Sequence, residues 1–229
     1  VIKRFFVFFL CLILALLPCS DRVEDNRYWI WAGLLAEQAP PTAILYIYQG
    51  AWVNHCFYRK GIFPSKISQK KVYLVYRIEG ELPAPERVAN LFMTHCRRWD
   101  KQGVHVIGLQ IDYDSPSKKL NNYYDFLKNL QQLLLPFYRL SITALCDWLV
   151  SGDQETLNDI GSVTQEIVFQ LYHHNHYIPQ IAQYTAKLRL KRFYYRLGFL
   201  SKNAPVAEID KFLCPPYYQG RIIFIQKTT

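Results

Sequence analysis

Short runs rich in β-branched and aromatic residues recur along the chain at residues 28–31, 44–49, 72–79, 106–112, 140–145, 167–172, 193–199 and 222–225. Each has the length and composition of a β-strand. Between several of them the apolar positions switch to helical spacing, at residues 86–101, 118–135 and 178–191. The second of these is the clearest: Leu120, Tyr123, Tyr124, Leu127, Leu130, Leu133 and Leu134 form one stripe. Ser115 or Ser117 is placed to cap it, with Pro116 in its first turn. Strands alternating with helices predict an α/β architecture with a parallel sheet, and eight of them predict a compact, closed (β/α)8 barrel of the TIM type. Residues 33–43 and 53–69 contain Pro or Gly and lack helical periodicity, so some outer helices are expected to be short or missing. With no repeat, low-complexity tract or linker in view, residues 21–229 read as a single barrel domain, small against the ~250 residues typical of the fold.

The strand that ends in Gly108-Leu-Gln-Ile-Asp-Tyr-Asp-Ser-Pro116 is the most informative. Alternation sends Gln110, Asp112 and Asp114 to one face and Leu109, Ile111 and Tyr113 to the other. The same parity test groups Arg77 with Glu79 on the third strand and Ser141 with Thr143 on the fifth, with Asp147 just beyond. It groups Gln170 with Tyr172 on the sixth, and Gln49 and Arg196 join from the second and seventh. In a parallel barrel these side chains converge on the carboxyl end of the strands, where such folds build their sites. Burying that many polar groups is costly unless they pair or face water and ligand. A purely structural reading also exists, in which Arg77 and Arg196 neutralise Asp112 and Glu79 in an internal polar network and Asp114 makes a turn with Ser115-Pro116.

Composition narrows the setting. A hydrophobic fraction of 51% over 229 residues supports a sizeable core and excludes extended disorder. Lys3 and Arg4 followed by the apolar run 5–17 have the form of a secretory signal. At roughly 13 residues the run is short of the ~20 a membrane-crossing helix needs. Residues 1–20 are therefore expected to be a signal peptide or a retained N-terminal anchor, and the protein exported, periplasmic or membrane-anchored in a bacterial envelope. Cys19 after Leu16-Leu17-Pro18 loosely resembles a lipoprotein processing site, with proline where a small residue is usual. Cys56, Cys96, Cys146 and Cys214 are spaced unlike a zinc ribbon or a redox pair, and read either as disulfide partners or as separate thiols. The net charge of +9 permits attraction to anionic lipid or polysaccharide. Its densest cluster, Lys187, Arg189, Lys191 and Arg192, lies on a helix-like stretch. Export argues against nucleic acid as a partner.

Residues 27–33 (Arg-Tyr-Trp-Ile-Trp-Ala-Gly), 74–77 (Leu-Val-Tyr-Arg), 108–116, 140–149 (Leu-Ser-Ile-Thr-Ala-Leu-Cys-Asp-Trp-Leu) and 169–172 (Phe-Gln-Leu-Tyr) resemble the bacterial domain-of-unknown-function family 3142 over most of the chain beyond the leader. That family is similar to glycoside-hydrolase barrels, and the resemblance implies such a barrel without assigning a reaction. A weaker likeness is to chitinase-type glycosidases, whose fourth strand reads Asp-Gly-x-Asp-x-Asp-x-Glu and ends with the general acid. Laying Gly108 on that glycine puts Gln110 on the middle Asp, Asp112 on the last and Asp114 on the Glu, with Ile107 replacing the first Asp. Tyr172 resembles the tyrosine that faces the sugar, followed here by His173.

These likenesses imply a glycan as partner and a carboxylate mechanism with no cofactor and no metal. Asp114 is the expected acid, Asp112 the neighbour that raises its pKa and stabilises positive charge, and Glu79 or Asp147 a more distant base. Gln49, Arg77, Gln110, Thr143, Asp147, Trp148, Gln170, Tyr172 and Arg196 are the expected sugar contacts, with Trp31, Trp52 or Trp148 as a stacking face. His173, His174 and His176 imitate a metal site with the two aspartates, although adjacent histidines on a strand face opposite ways. The rival to hydrolysis is a non-catalytic carbohydrate-binding or envelope protein on a degenerate barrel.

Overall fold

The computed structural model describes residues 27–31, 33–134, 136–174, 176–200, 213 and 216–225. The leader, Cys19 and Cys214 lie outside them. Eight parallel strands close on themselves: β1 (Arg27–Ile30), β2 (Ile44–Val53), β4 (Lys71–Glu79), β5 (His105–Asp112), β6 (Arg139–Leu145), β7 (Glu166–Gln170), β10 (Tyr195–Leu200) and β11 (Tyr218–Ile225). Pairing runs round the ring in chain order, and β1 bonds to both β2 and β11, which shuts the barrel. All eight strands expected from the sequence are present. The remaining strands are accessory: β3 (Cys56–Arg59) forms an antiparallel hairpin with β2, and β8 (Tyr172–His173) pairs with β9 (His176–Tyr177) beyond the end of β7.

The outer layer is incomplete, as the turn-rich segments predict. Residues 33–43 hold only the 3-10 turn Gly33–Gln38, and residues 53–69 hold β3 and the 3-10 turn Pro64–Lys66. The full helices are α1 (Pro85–Asp100), α2 (Leu120–Leu134), α3 (Trp148–Ser151), α4 (Gln154–Val163) and α5 (Ile181–Leu188). Helix α1 starts on Pro85, carries Glu86 in its first turn and Arg97 and Arg98 in its last, which suits the helix dipole. Its buried Val88, Phe92, Cys96 and Trp99 form the stripe that meets the sheet.

Two local expectations change. Neither Ser115 nor Ser117 caps α2: the chain enters it through the 3-10 turn Ser117–Lys119, and the Ser117 hydroxyl donates to Asp147 instead. Helix α4 lies in a segment for which the sequence predicts no helix. It is fixed by Asp153, whose carboxylate accepts from the Thr156 backbone N–H at 2.8 Å.

Strand alternation divides the apolar residues into two cores. Leu45, Ile47, Leu74, Leu109, Ile111, Ile142, Ile167 and Phe169 face the helices. Trp29, Tyr46, Tyr48, Tyr73, Val75, Val168, Ile222 and Phe224 fill the barrel. Gly108 makes the inner packing possible, because a Cβ there would sit 2.3 Å from the Arg139 carbonyl oxygen and 2.5 Å from the Tyr73 ring. Among the described residues no helix is long and apolar enough to cross a membrane.

Candidate functional site at the barrel mouth

At the carboxyl ends of the strands lies a cleft of about 390 Å³, lined on one side by Trp29 and Trp31 and on the other by Arg77, Asp112 and Asp114, with Gln170, Tyr172, His173 and His174 at its rim. Its polar centre is Arg77. The guanidinium donates to Asp112 at 2.9 Å through one terminal nitrogen and to Asp114 at 3.2 Å through the other, while its Nε lies 3.4 Å from Glu79. The register makes this inevitable, since Arg77 on β4 is paired with Asp112 on β5.

The two aspartates occupy different environments. Asp112 is 2% exposed and its second oxygen accepts from the Thr143 hydroxyl at 2.7 Å. Burial raises its pKa, and the opposing pull of Arg77 and Thr143 does not cancel that rise. Asp114, two residues on, stands at the exposed rim with Glu79. Burial alone lowers the pKa of Arg77, but the three carboxylates outweigh it and hold the guanidinium firmly charged. Burial and then the two aspartates lift the Tyr172 phenol well above its ordinary value, so it faces the cleft as a hydrogen-bond donor.

The aromatic wall is layered. Trp31 is 42% exposed at the top of β1, its ring centroid 4.4 Å from Trp29 and 4.8 Å from Tyr48. Trp29 beneath it is fully buried and stacks on Phe224 at 5.2 Å. A rigid, half-exposed indole supported from below is what an apolar sugar face needs.

Arg77, Asp112, Asp114, Gln170 and Tyr172 thus meet at the mouth, Glu79 joins through Arg77, and Thr143 holds Asp112 from below. Six residues expected there lie elsewhere. Gln110 is buried one layer down, accepting from Trp29 Nε1 at 2.8 Å and donating to Ser141 at 2.9 Å. Arg196 is the second residue of its strand and so sits toward the opposite end, bonded to Glu166 at 2.9 Å. Gln49 donates to the Tyr48 and Ile62 carbonyls beside a bulge in β2. Trp148 is buried in the helical layer and donates to the Ser115 carbonyl at 2.8 Å. Asp147 accepts from Ser117 and, at 2.9 Å, from Ser151. Trp52 likewise packs in the helical layer.

Glu166 is the residue that sequence reasoning missed. It accepts from Arg27 at 3.0 Å, Arg196 at 2.9 Å and Ser141 at 3.1 Å, and from the Tyr46 hydroxyl. Burial alone raises its pKa, but Arg27, Arg196 and the Tyr46 hydroxyl hold it below the ordinary value. Extending the Gln170 and Val168 parity back by one more step would have found it. Cys56, Cys96 and Cys146 are free thiols. Among the described residues no three His, Cys, Asp or Glu side chains converge as metal ligands, and His173 and His174 stack on each other at 4.1 Å.

Eight parallel strands closed into a ring, with a polar, aromatic-walled cleft at their carboxyl ends, define a TIM-type (β/α)8 barrel. The sequence of residues 68–193 matches the family described as Domain of unknown function (DUF3142). The chain belongs to that family. Among solved structures it is similar to a xylanase and α-amylase inhibitor protein in complex with trehalose (TM-score 0.55, 11% identity, covering 88% of this chain and 93% of that one). It is also similar to a second form of such an inhibitor (TM-score 0.54, 12% identity, 87% and 92%) and to the inhibitor protein from Scadoxus multiflorus (TM-score 0.51, 13% identity, 87% and 92%). At these identities the likeness is one of fold. No curated protein matches the sequence.

Proposed function

We propose that the mouth binds a saccharide, with Trp31 as the stacking platform and Arg77, Asp114, Gln170 and Tyr172 as the polar contacts. The observation that carries this reading is the fork of Arg77 across Asp112 and Asp114 opposite an exposed, buttressed tryptophan. Hydrolysis needs a carboxyl that can present its proton to a glycosidic oxygen. Here both oxygens of Asp112 are engaged, by Arg77 and by Thr143, and Arg77 also draws in Asp114 and Glu79. That arrangement suits the binding of sugar hydroxyls better than proton transfer. A neighbour of the same fold is solved with trehalose, which supports a disaccharide or longer glycan as the class to test. The N-terminal apolar run supports export to the envelope, where such glycans are found.

One observation favours a hydrolytic reading: burial raises the pKa of Asp112, so it holds its proton more tightly than an ordinary aspartate. The acid role would then fall to Asp112, with Asp114 or Glu79 supporting positive charge at the sugar. Titration calorimetry against envelope oligosaccharides, run beside a reducing-end assay, separates the two readings. Binding that is lost in Trp31→Ala with no release of reducing ends supports the binding protein. Turnover abolished by Asp112→Asn establishes the enzyme, and absence of any saccharide binding defeats both.

A further inference from the structure

A second, open cleft of about 600 Å³ lies beside the mouth, between the loop that follows β4 and the loop that leads from β5 into α2. Asp114 lines this cleft and also lines the mouth, so the two meet at that side chain. Arg77 fixes the Asp114 carboxylate through Oδ2 at 3.2 Å, and the side chain is 47% exposed, which leaves Oδ1 to accept from hydroxyls on either side. Each cleft is large enough for a ligand unit of its own, since small-molecule sites run from about 300 to 1,000 Å³.

The two clefts are built alike. In the mouth, partly exposed Trp31 rests on buried Trp29. In the second cleft, half-buried Tyr113 rests on fully buried Tyr123, with ring centroids 5.1 Å apart. The Tyr113 hydroxyl donates to the Gly80 carbonyl at 3.3 Å, which ties the ring to the opposite loop. A ring backed and tethered in this way has little freedom left to lose when a ligand covers it. Leu82 and Pro116 extend its apolar surface, and Lys119 and Asn122 stand beside it. Both of these side chains are exposed, and neither is committed to a partner among the described residues. An aromatic face edged by polar groups matches a sugar ring, which carries C–H bonds on its faces and hydroxyls on its rim.

We propose that the two clefts are neighbouring subsites for one glycan chain, which rests on Trp31 at one end and on Tyr113 at the other and crosses Asp114 between them. This rests on the saccharide reading of the mouth. It makes the ligand a linear oligosaccharide of three or more sugars, with one ring for each aromatic platform and one at Asp114.

The test titrates the full chain by calorimetry with three pairs of sugars: cellobiose and cellotetraose, maltose and maltotetraose, di-N-acetylchitobiose and tetra-N-acetylchitotetraose. Within a pair that binds, the tetrasaccharide should bind about tenfold or more tightly than the disaccharide, the gain expected from one or two added hydrogen bonds and a ring contact. Lys119→Ala/Asn122→Ala, at exposed positions, should bring the tetrasaccharide down toward the disaccharide and leave the disaccharide unchanged. Tyr113→Ala should do the same, and Trp31→Ala should cost binding at both lengths. Equal affinity at both lengths, or a tetrasaccharide advantage that survives Lys119→Ala/Asn122→Ala and Tyr113→Ala in folded variants, overturns the inference and leaves the mouth a saccharide site. Absence of binding by all three pairs removes the saccharide reading and the inference together.

Discussion

Arg77 and Asp112 face each other across adjacent strands with 2.9 Å between Nη1 and the carboxylate, and the same guanidinium reaches Asp114 with its other terminal nitrogen at 3.2 Å. The buried acid is held by a partner that is itself about one-third exposed. Arg77→Ala should therefore destabilise the fold by about 2 kcal/mol, below the range for a fully buried pair, because water screens part of the interaction. Arg77→Lys should recover less than half of that, having no fork to span both carboxylates. Urea unfolding of the three proteins measures both effects.

Asp112 and Glu166 are both buried acids, and they should respond to pH in opposite directions. The pKa of Glu166 is depressed in the fold, so its stabilisation is present above the ordinary glutamate range of about 4.3 and is lost as pH falls through the folded value. Asp112 is raised, so the unfolded chain releases its proton first and stability falls as pH climbs from the ordinary aspartate range of about 3.9 to the folded value. At neutral pH Glu166→Gln should cost about 3 kcal/mol by removing the buried carboxylate that Arg27 and Arg196 share. Asp112→Asn should cost under about 1 kcal/mol or stabilise. Unfolding curves between acid and neutral pH test the signs, and equal losses at neutral pH would refute the contrast.

Trp31 and Trp29 are two residues apart, touch each other, and should behave differently. Trp31→Ala removes an exposed platform and should abolish measurable saccharide binding with little change in melting temperature. Trp29→Ala empties the centre of the barrel and removes the Gln110 partner, for a cost of about 3–5 kcal/mol. Melting temperature and calorimetry on both variants separate the site from its scaffold.

Gly108→Ala tests the inner packing. The added methyl has no space between the Arg139 carbonyl and the Tyr73 ring, and the ring is stacked on Tyr46 at 4.5 Å, which limits its retreat. A loss of about 2 kcal/mol or more in urea is expected from such overpacking.

The thiols give a simple check on burial. Burial pushes Cys96 and Cys146 up to about 12, so of the three described cysteines only exposed Cys56 should react quickly with a thiol reagent at slightly alkaline pH. Rapid labelling of all three in the native protein would contradict the packing.

The order and number of the barrel strands were legible because each carries its own local signal: β-branched and aromatic residues in short runs, separated by helical stripes or turn residues. Alternation also assigned Arg77, Asp112 and Thr143 correctly to the inner face, since side-chain parity is a property of a strand alone. Height along the barrel axis was not legible. Gln110 and Arg196 share that parity yet stop in the middle and at the floor, because stagger between strands is set by closure of the ring and by bulges such as the one near Tyr48 in β2. Glu166 shows the same limit, since its partners Arg27, Tyr46, Ser141 and Arg196 come from four other strands. Sequence by itself determined which side of each strand is polar and that eight such strands close into a barrel, as periodicity is local. Only the tertiary structure decided which polar groups share a layer, and so which form the mouth and which the floor, because that depends on register between segments far apart in the chain.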